Sequence, residues 1–183
     1  MKQSVAIALL AFLSLLSVSA DAMNRHVKRE SPMELTSAAF SEAMRMPEQF
    51  TCEGADVSPP LQWSEPPART RSFALILDDP DAPRGVFRHW ALYDIPGQWR
   101  SLESGIEAAA AGPPQARNDF GRIGYGGPCP PRGHGAHRYR FRLFAVDVSD
   151  LFVSTHPSIA ELEKALKGHV LAEAVLTALY SRD

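Results

Sequence analysis

The chain has 183 residues, of which 45% are hydrophobic and 22% charged, with a formal net charge of -2. That is the composition of one ordinary globular domain. The charge balance excludes a nucleic-acid-binding field and a polybasic membrane patch as organising features.

The N-terminus carries Lys2, an uncharged run from Val5 to Val18, and then small residues. This is the pattern of a secretory signal peptide over residues 1–22, cleaved after Ala20-Asp21-Ala22 or, in competition, after Val18-Ser19-Ala20. The run is too short to span a bilayer comfortably. The expected mature chain, residues 23–183, is soluble and exported, hence periplasmic or secreted. Export places Cys52 and Cys129 in an oxidising compartment, where a pair is either bridged or held as two buried thiols. Both readings stay open at this level.

Residues 23–50 give only a weak strand or short-helix signal. "VSPPLQW" (Val57 to Trp63) contains a proline pair that excludes helix and suits the entry to a strand. "RSFALILDD" alternates, with Phe73, Leu75, Leu77 and Asp79 on one face and Ala74 and Ile76 on the other, which predicts a strand buried on both sides. "HWALYDI" places His89, Ala91, Tyr93 and Ile95 on one face. The 41 residues from Pro96 to Ala136 show little periodicity and hold 9 of the chain's 12 glycines. A long irregular segment in a compact domain is usually functional. "HRYRFRLFAVD" puts His137, Tyr139, Phe141, Leu143 and Ala145 inward. Arg138, Arg140 and Arg142 then form an outward, solvated face. Ser158 and Glu161 read as a capping box for a helix carrying Leu162, Ala165 and Leu166. Gly168 breaks it, and a second helix is expected over Val170 to Tyr180. Strands first and helices last predict a mainly β fold, a sandwich or mixed antiparallel sheet with helices at one side.

Asp79 ends one inward face and His89 opens another, with nine residues between the strands. If those strands pair antiparallel, the two residues share one sheet edge. His137 and Tyr139 open a third inward face. Polar groups aimed inward need partners, so a shared pocket explains them better than three separate accidents. In "DDPDAP", Pro80 and Pro83 stiffen the turn that holds Asp81. Alone this is a polar loop, and alone each histidine is structural; the joint pattern carries the argument.

"DDPDAP", "HWALYDIP" and "GPCPPRGHGAHRY", in this order, resemble the phosphatidylethanolamine-binding protein family, in particular its bacterial Raf kinase inhibitor-like (YbhB/YbcL) branch. "TCEGADVSPPLQW", "NDFGRIGYGG" and "LEKALKGHVLAEA" are similar to that branch as well. The resemblance implies a sandwich-like fold with a large antiparallel central sheet, a smaller second sheet and C-terminal helices. It also implies a small anion pocket for phosphate-type headgroups, lined by Asp79, Asp81, His89, His137 and Tyr139. Cys129, Pro130, Pro131, Gly133 and Gly135 would form its rim, and Tyr180 is a loose counterpart of a C-terminal tyrosine that contributes in some relatives. Eukaryotic relatives carry Gly at the position of Cys129.

Such a pocket has a physical logic. His89, His137 and Tyr139 supply donors, and Gly133 and Gly135 would let backbone amides approach an anion. Asp79 and Asp81 would orient the histidines, or accept from a protonated phosphate or an ethanolamine ammonium. The expected partner is a small phosphate-containing ligand or lipid headgroup, with peripheral membrane contact and no cofactor, metal or nucleic acid. A binder, rather than an enzyme, is the expectation. The alternatives are a metal-assisted phosphoesterase using the same Asp and His residues, for which HxxxH and CxxC spacings are lacking, and an inhibitor of an extracytoplasmic protease or host protein.

Overall fold

A computed structural model describes residues 32–107 and 112–183. The expected signal peptide lies outside the described residues. Eight strands and one helix follow in the order β1 (Leu35–Thr36), β2 (Met44–Arg45), β3 (Leu61–Trp63), β4 (Ser72–Asp79), β5 (Phe87–Pro96), β6 (Ser101–Leu102), β7 (His137–Val146), α1 (Ile159–Ala165) and β8 (Val170–Tyr180). They form a five-stranded sheet, β2-β8-β7-β4-β5, and a three-stranded sheet, β1-β3-β6. Neighbours in the large sheet are antiparallel except β2 and β8, which run parallel. Among the described residues no helix is long and apolar enough to cross a membrane.

Strand β4 lies between β7 and β5, and all eight of its residues are buried. Its front face (Phe73, Leu75, Leu77) packs with Phe141 and Leu143 of β7 and with Leu35, Leu61, Trp63 and Leu102 of the small sheet. Its back face (Ala74, Ile76) packs with Phe144 and Val146 and with Ile159, Leu162 and Leu166 in and beside α1. Alternation on β4 and β7 thus feeds two cores, one between the sheets and one under the helix. Helix α1 begins as expected: the Ser158 side chain accepts from the Glu161 amide, while the Glu161 carboxylate accepts from the Ser158 amide.

Two expectations are corrected. Val170 to Tyr180 is not a second helix but strand β8, paired along β7 from His137↔Tyr180 to Val146↔Val170. Its Ala, Leu and Glu content favours helix, but Ala174, Leu176, Ala178 and Tyr180 are buried with period two. A ten-residue ladder against β7 outweighs intrinsic propensity. The inward face assigned to β5 is also broken. Register against β4 slips between Leu77↔Trp90 and Asp78↔Arg88, and again between Phe73↔Ile95 and Leu75↔Leu92. These are β-bulges, the second marked by Asp94 at φ 50°, and each adds one residue to β5. Ala91 and Tyr93 therefore join the back core, while Trp90, Leu92 and Ile95 join the front.

Candidate functional site

The bulge at His89 turns its ring to the front, beside Tyr139 of β7, at a centroid distance of 5.3 Å. Tyr139 also stacks with His137, two residues earlier on the same face, at 6.5 Å. The phenol thus stands between two imidazoles. Asp79 closes the set from the end of β4, where its Oδ2 accepts from His137 Nδ1 at 2.7 Å. Asp79, His89, His137 and Tyr139 are all buried, none more than 3% exposed. Three strands converge on one edge here, and antiparallel pairing of β4 with both β5 and β7 brings their ends together.

Each group has a definable state. The second Asp79 oxygen accepts from the Asp81 amide at 2.8 Å, so both carboxylate oxygens are engaged. His89 Nδ1 donates to the Gly126 carbonyl at 2.8 Å. Burial holds the His89 ring below its ordinary pKa of 6.5, against the opposing pull of the Gly126 bond and the Asp79 charge. The neutral ring then presents Nε2 as an acceptor toward the site. The Tyr139 hydroxyl is sealed from solvent and has no hydrogen-bond partner among the described residues. Burial first, and then the Asp79 charge, push its pKa up against the pull of the nearby Cys129 amide, so it stays a neutral donor. That amide and the Asp79 carboxylate lie near the hydroxyl without reaching hydrogen-bond geometry. The other such atom is Trp63 Nε1, on the small sheet.

Asp81 stands apart from this group. Arg138 grips it with Nε at 2.9 Å and Nη2 at 2.6 Å, and its backbone amide adds a third bond at 2.9 Å. Those contacts lower its pKa to about 2. Asp81 is therefore a rim ion pair and hydrogen-bonds neither His89 nor His137. Its role is indirect, because its own amide fixes the Asp79 carboxylate.

The rim loop is anchored from two sides. Cys129 and Cys52 form a disulfide with a Cα–Cα distance of 5.5 Å. Glu53, next to Cys52, receives Arg132 Nη2 at 3.0 Å, Arg182 Nε at 3.3 Å and the Tyr180 hydroxyl at 2.7 Å. Arg182 also donates to the Pro130 carbonyl at 3.3 Å. Tyr180 thus braces the loop and does not reach the imidazoles by a hydrogen bond. The Gly133 amide donates to the Arg182 carbonyl at 3.0 Å, so it is not free to cradle an anion. Gly133 and Gly135 are needed for backbone angles, φ 70° and 85°, in a region that L side chains avoid. Nothing lies within 4 Å of a Cβ built on either.

Several contributors escaped the sequence reading. Gly126 and Phe120, whose ring packs on His89 at 5.3 Å, lie in the aperiodic segment that had no strand pattern to place them. Glu53 and Arg182 meet across 129 residues of sequence. His134 donates to or accepts from His137 Nε2 through its Nδ1 at 2.8 Å. Clefts of about 660 and 460 Å³ lie elsewhere and are lined by none of Asp79, His89, His137 or Tyr139. Among the described residues no group of three or more His, Cys, Asp or Glu is arranged to hold a metal ion.

Residues 36–181 match the sequence profile of the family described as phosphatidylethanolamine-binding protein. A UPF0098 protein of Aquifex aeolicus is 47% identical over 153 residues, covering 82% of this chain and 90% of its own. Among solved structures, Escherichia coli YbcL, described as a member of the mammalian PEBP family, superposes with a TM-score of 0.78 at 31% identity. That match covers 84% of this chain and all of YbcL. A phosphatidylethanolamine-binding protein homologue of Chlamydia trachomatis gives a TM-score of 0.75 at 36% identity, covering 83% and 99% of the two chains.

Proposed function

This chain belongs to the phosphatidylethanolamine-binding protein family, and from that premise we propose that the Asp79–His137–Tyr139–His89 cluster binds the phosphate of a small monoester or lipid headgroup. The observation that carries this reading is the buried Tyr139 hydroxyl without a partner, standing between two imidazoles. An unpaired buried hydroxyl costs roughly 1–3 kcal/mol, and a phosphate oxygen would remove that cost.

The protonation states define the form that binds. Neutral His89 offers an acceptor, which suits the O–H of a singly protonated phosphomonoester. Alternatively, the ring takes up a proton as the anion enters, and a diester headgroup, which has no such O–H, takes only this second route. Either route couples binding to a proton, so affinity falls as pH rises. The Asp79 carboxylate accepts from His137 Nδ1–H and so leaves Nε2 as the nitrogen that would meet the anion. We read the protein as an exported, soluble binder that modulates other proteins through its bound state, and not as an enzyme.

Titration calorimetry with inorganic phosphate and phosphorylethanolamine between pH 5 and 8 tests this. Expected are binding at pH 5.5, weakening toward pH 8, and loss in His137→Ala and His89→Ala variants. Affinity that does not change with pH, or that survives both substitutions, would overturn the assignment. Turnover of a phosphomonoester by the wild type would replace the binder with a hydrolase.

A further inference from the structure

His134 lies in the rim loop, exposed to solvent, between two glycines held at positive φ. Its backbone amide closes a turn on the Pro131 carbonyl. Its ring meets the His137 ring edge-on at 5.1 Å, with Nδ1 2.8 Å from Nε2. A chain of hydrogen bonds therefore runs from Asp79 through His137 to His134. The last contact occupies the nitrogen of His137 that faces away from Asp79, the one an anion would need.

Building on the phosphate-binding reading, we propose that His134 is the gate of this site, a side chain that must leave His137 Nε2 before an anion oxygen can take its place. The chemistry of the contact supports this. The Asp79 carboxylate can only accept, so His137 Nδ1 carries a hydrogen. With His137 neutral, its Nε2 is a lone pair that accepts from His134 Nδ1–H. With one proton added, Nε2–H donates to an unprotonated His134 Nδ1. With both rings protonated, two N–H groups face each other and the contact fails. Protonation of both rings thus opens the gate and leaves His137 Nε2–H free to donate. The groups facing the pair act in fixed ways. Asp79 holds the His137 Nδ1–H. Asp81 and Arg138 neutralise each other on the rim, while Arg132 and Arg182 share the single carboxylate of Glu53. His89 and Tyr139 face His137 from within the site. The His134 side chain is exposed, so rotation about its own side-chain bonds can carry the ring outward while the loop backbone stays anchored.

Closure reduces apparent affinity by the fraction of molecules that are open. His134→Ala should therefore bind inorganic phosphate roughly fivefold more tightly than wild type at pH 7.5, the size of one net hydrogen bond. The gap should narrow as the pH is lowered toward 5.5. His134→Asn keeps a neutral donor at the position of Nδ1 and cannot titrate, so it should bind weakly at both pH values. Equal or weaker binding by His134→Ala at pH 7.5 overturns the gate, while leaving the anion site itself intact. Binding by neither protein at any pH defeats the anion site and the gate together. Imidazole ¹⁵N spectra of the full chain give a ligand-free readout. The His137 Nε2 resonance should shift in His134→Ala, and an unchanged resonance also overturns the proposal. Thermal unfolding confirms that each variant is folded.

Discussion

Asp78 and Asp79 are consecutive, buried residues at one strand end, and they have opposite fates. Asp78 points to the back, where Arg140 reaches its two oxygens at 2.7 and 3.0 Å and Arg142 adds a contact at 3.4 Å. Arg142 continues to Glu173 at 2.8 Å, and Glu163 binds Arg88 at 2.8 Å. On that face every buried charge meets a permanent opposite charge. Asp79 points to the front, where its one ionisable side-chain partner among the described residues is an imidazole, and a sealed hydroxyl nearby has no hydrogen-bond partner. A saturated network stabilises one arrangement. An under-satisfied one has capacity left for a ligand.

The contrast can be broken by mutation. Asp78→Asn keeps the shape but leaves the partly buried Arg140 guanidinium without its carboxylate and takes one carboxylate from Arg142, which keeps Glu173. It should cost about 3 kcal/mol, near the lower end for breaking a buried pair because both arginines are partly solvated. Asp79→Asn should cost only about 1 kcal/mol, one net hydrogen bond, yet abolish phosphate binding. Urea midpoints and phosphate titrations on both variants check the pair. If the two substitutions cost the same stability and the same affinity, the division between faces is wrong.

Much of this arrangement was legible in the sequence, and the exceptions have physical causes. Alternation placed β4 and β7, and the spacing of His137 and Tyr139 put both rings on one face. The arginines of β7 were read as a solvated face because no local pattern announces that Asp78 of a neighbouring strand will turn toward them. Strand β8 was hidden by helix-favouring residues whose fate depends on β7. The bulge that delivers His89 to the front leaves no mark in composition. It inserts one residue and reverses the period that the reading relied on. The bracing by Glu53, Arg182 and the disulfide joins segments far apart in the chain, which periodicity cannot reach.

A smaller effect sharpens the same contrast through pH. His89 is buried with its pKa below the unfolded value of 6.5. The unfolded chain thus binds a proton that the folded chain resists. This contribution to stability is fully present above pH 6.5 and is lost as pH falls through the lowered folded value. His89→Asn retains a donor for the Gly126 carbonyl but cannot titrate. It should therefore lose less stability than wild type between pH 7 and pH 5, measured by denaturant unfolding at each pH. A saturating phosphate concentration should narrow the wild-type loss, because the anion stabilises the protonated ring. An identical pH dependence in the two proteins would remove His89 as the front face's proton-linked group.

The smallest expected change in stability is the most discriminating. Tyr139→Phe deletes one buried oxygen that has no partner in the protein. On the back face, removing a polar atom always breaks a bond. Here it breaks no well-formed bond, since the Asp79 carboxylate and the Cys129 amide lie near the hydroxyl without hydrogen-bond geometry. It also relieves a desolvation cost, so stability should be unchanged or rise by up to about 1 kcal/mol. The ring packing against His89 and His137 is retained. Phosphate affinity should nevertheless fall about tenfold, the worth of a hydrogen bond to a charged group. A structural tyrosine would show the reverse pattern, with stability lost and affinity kept. Gain in one measurement and loss in the other is the signature of a group held in an unfavourable state for a ligand.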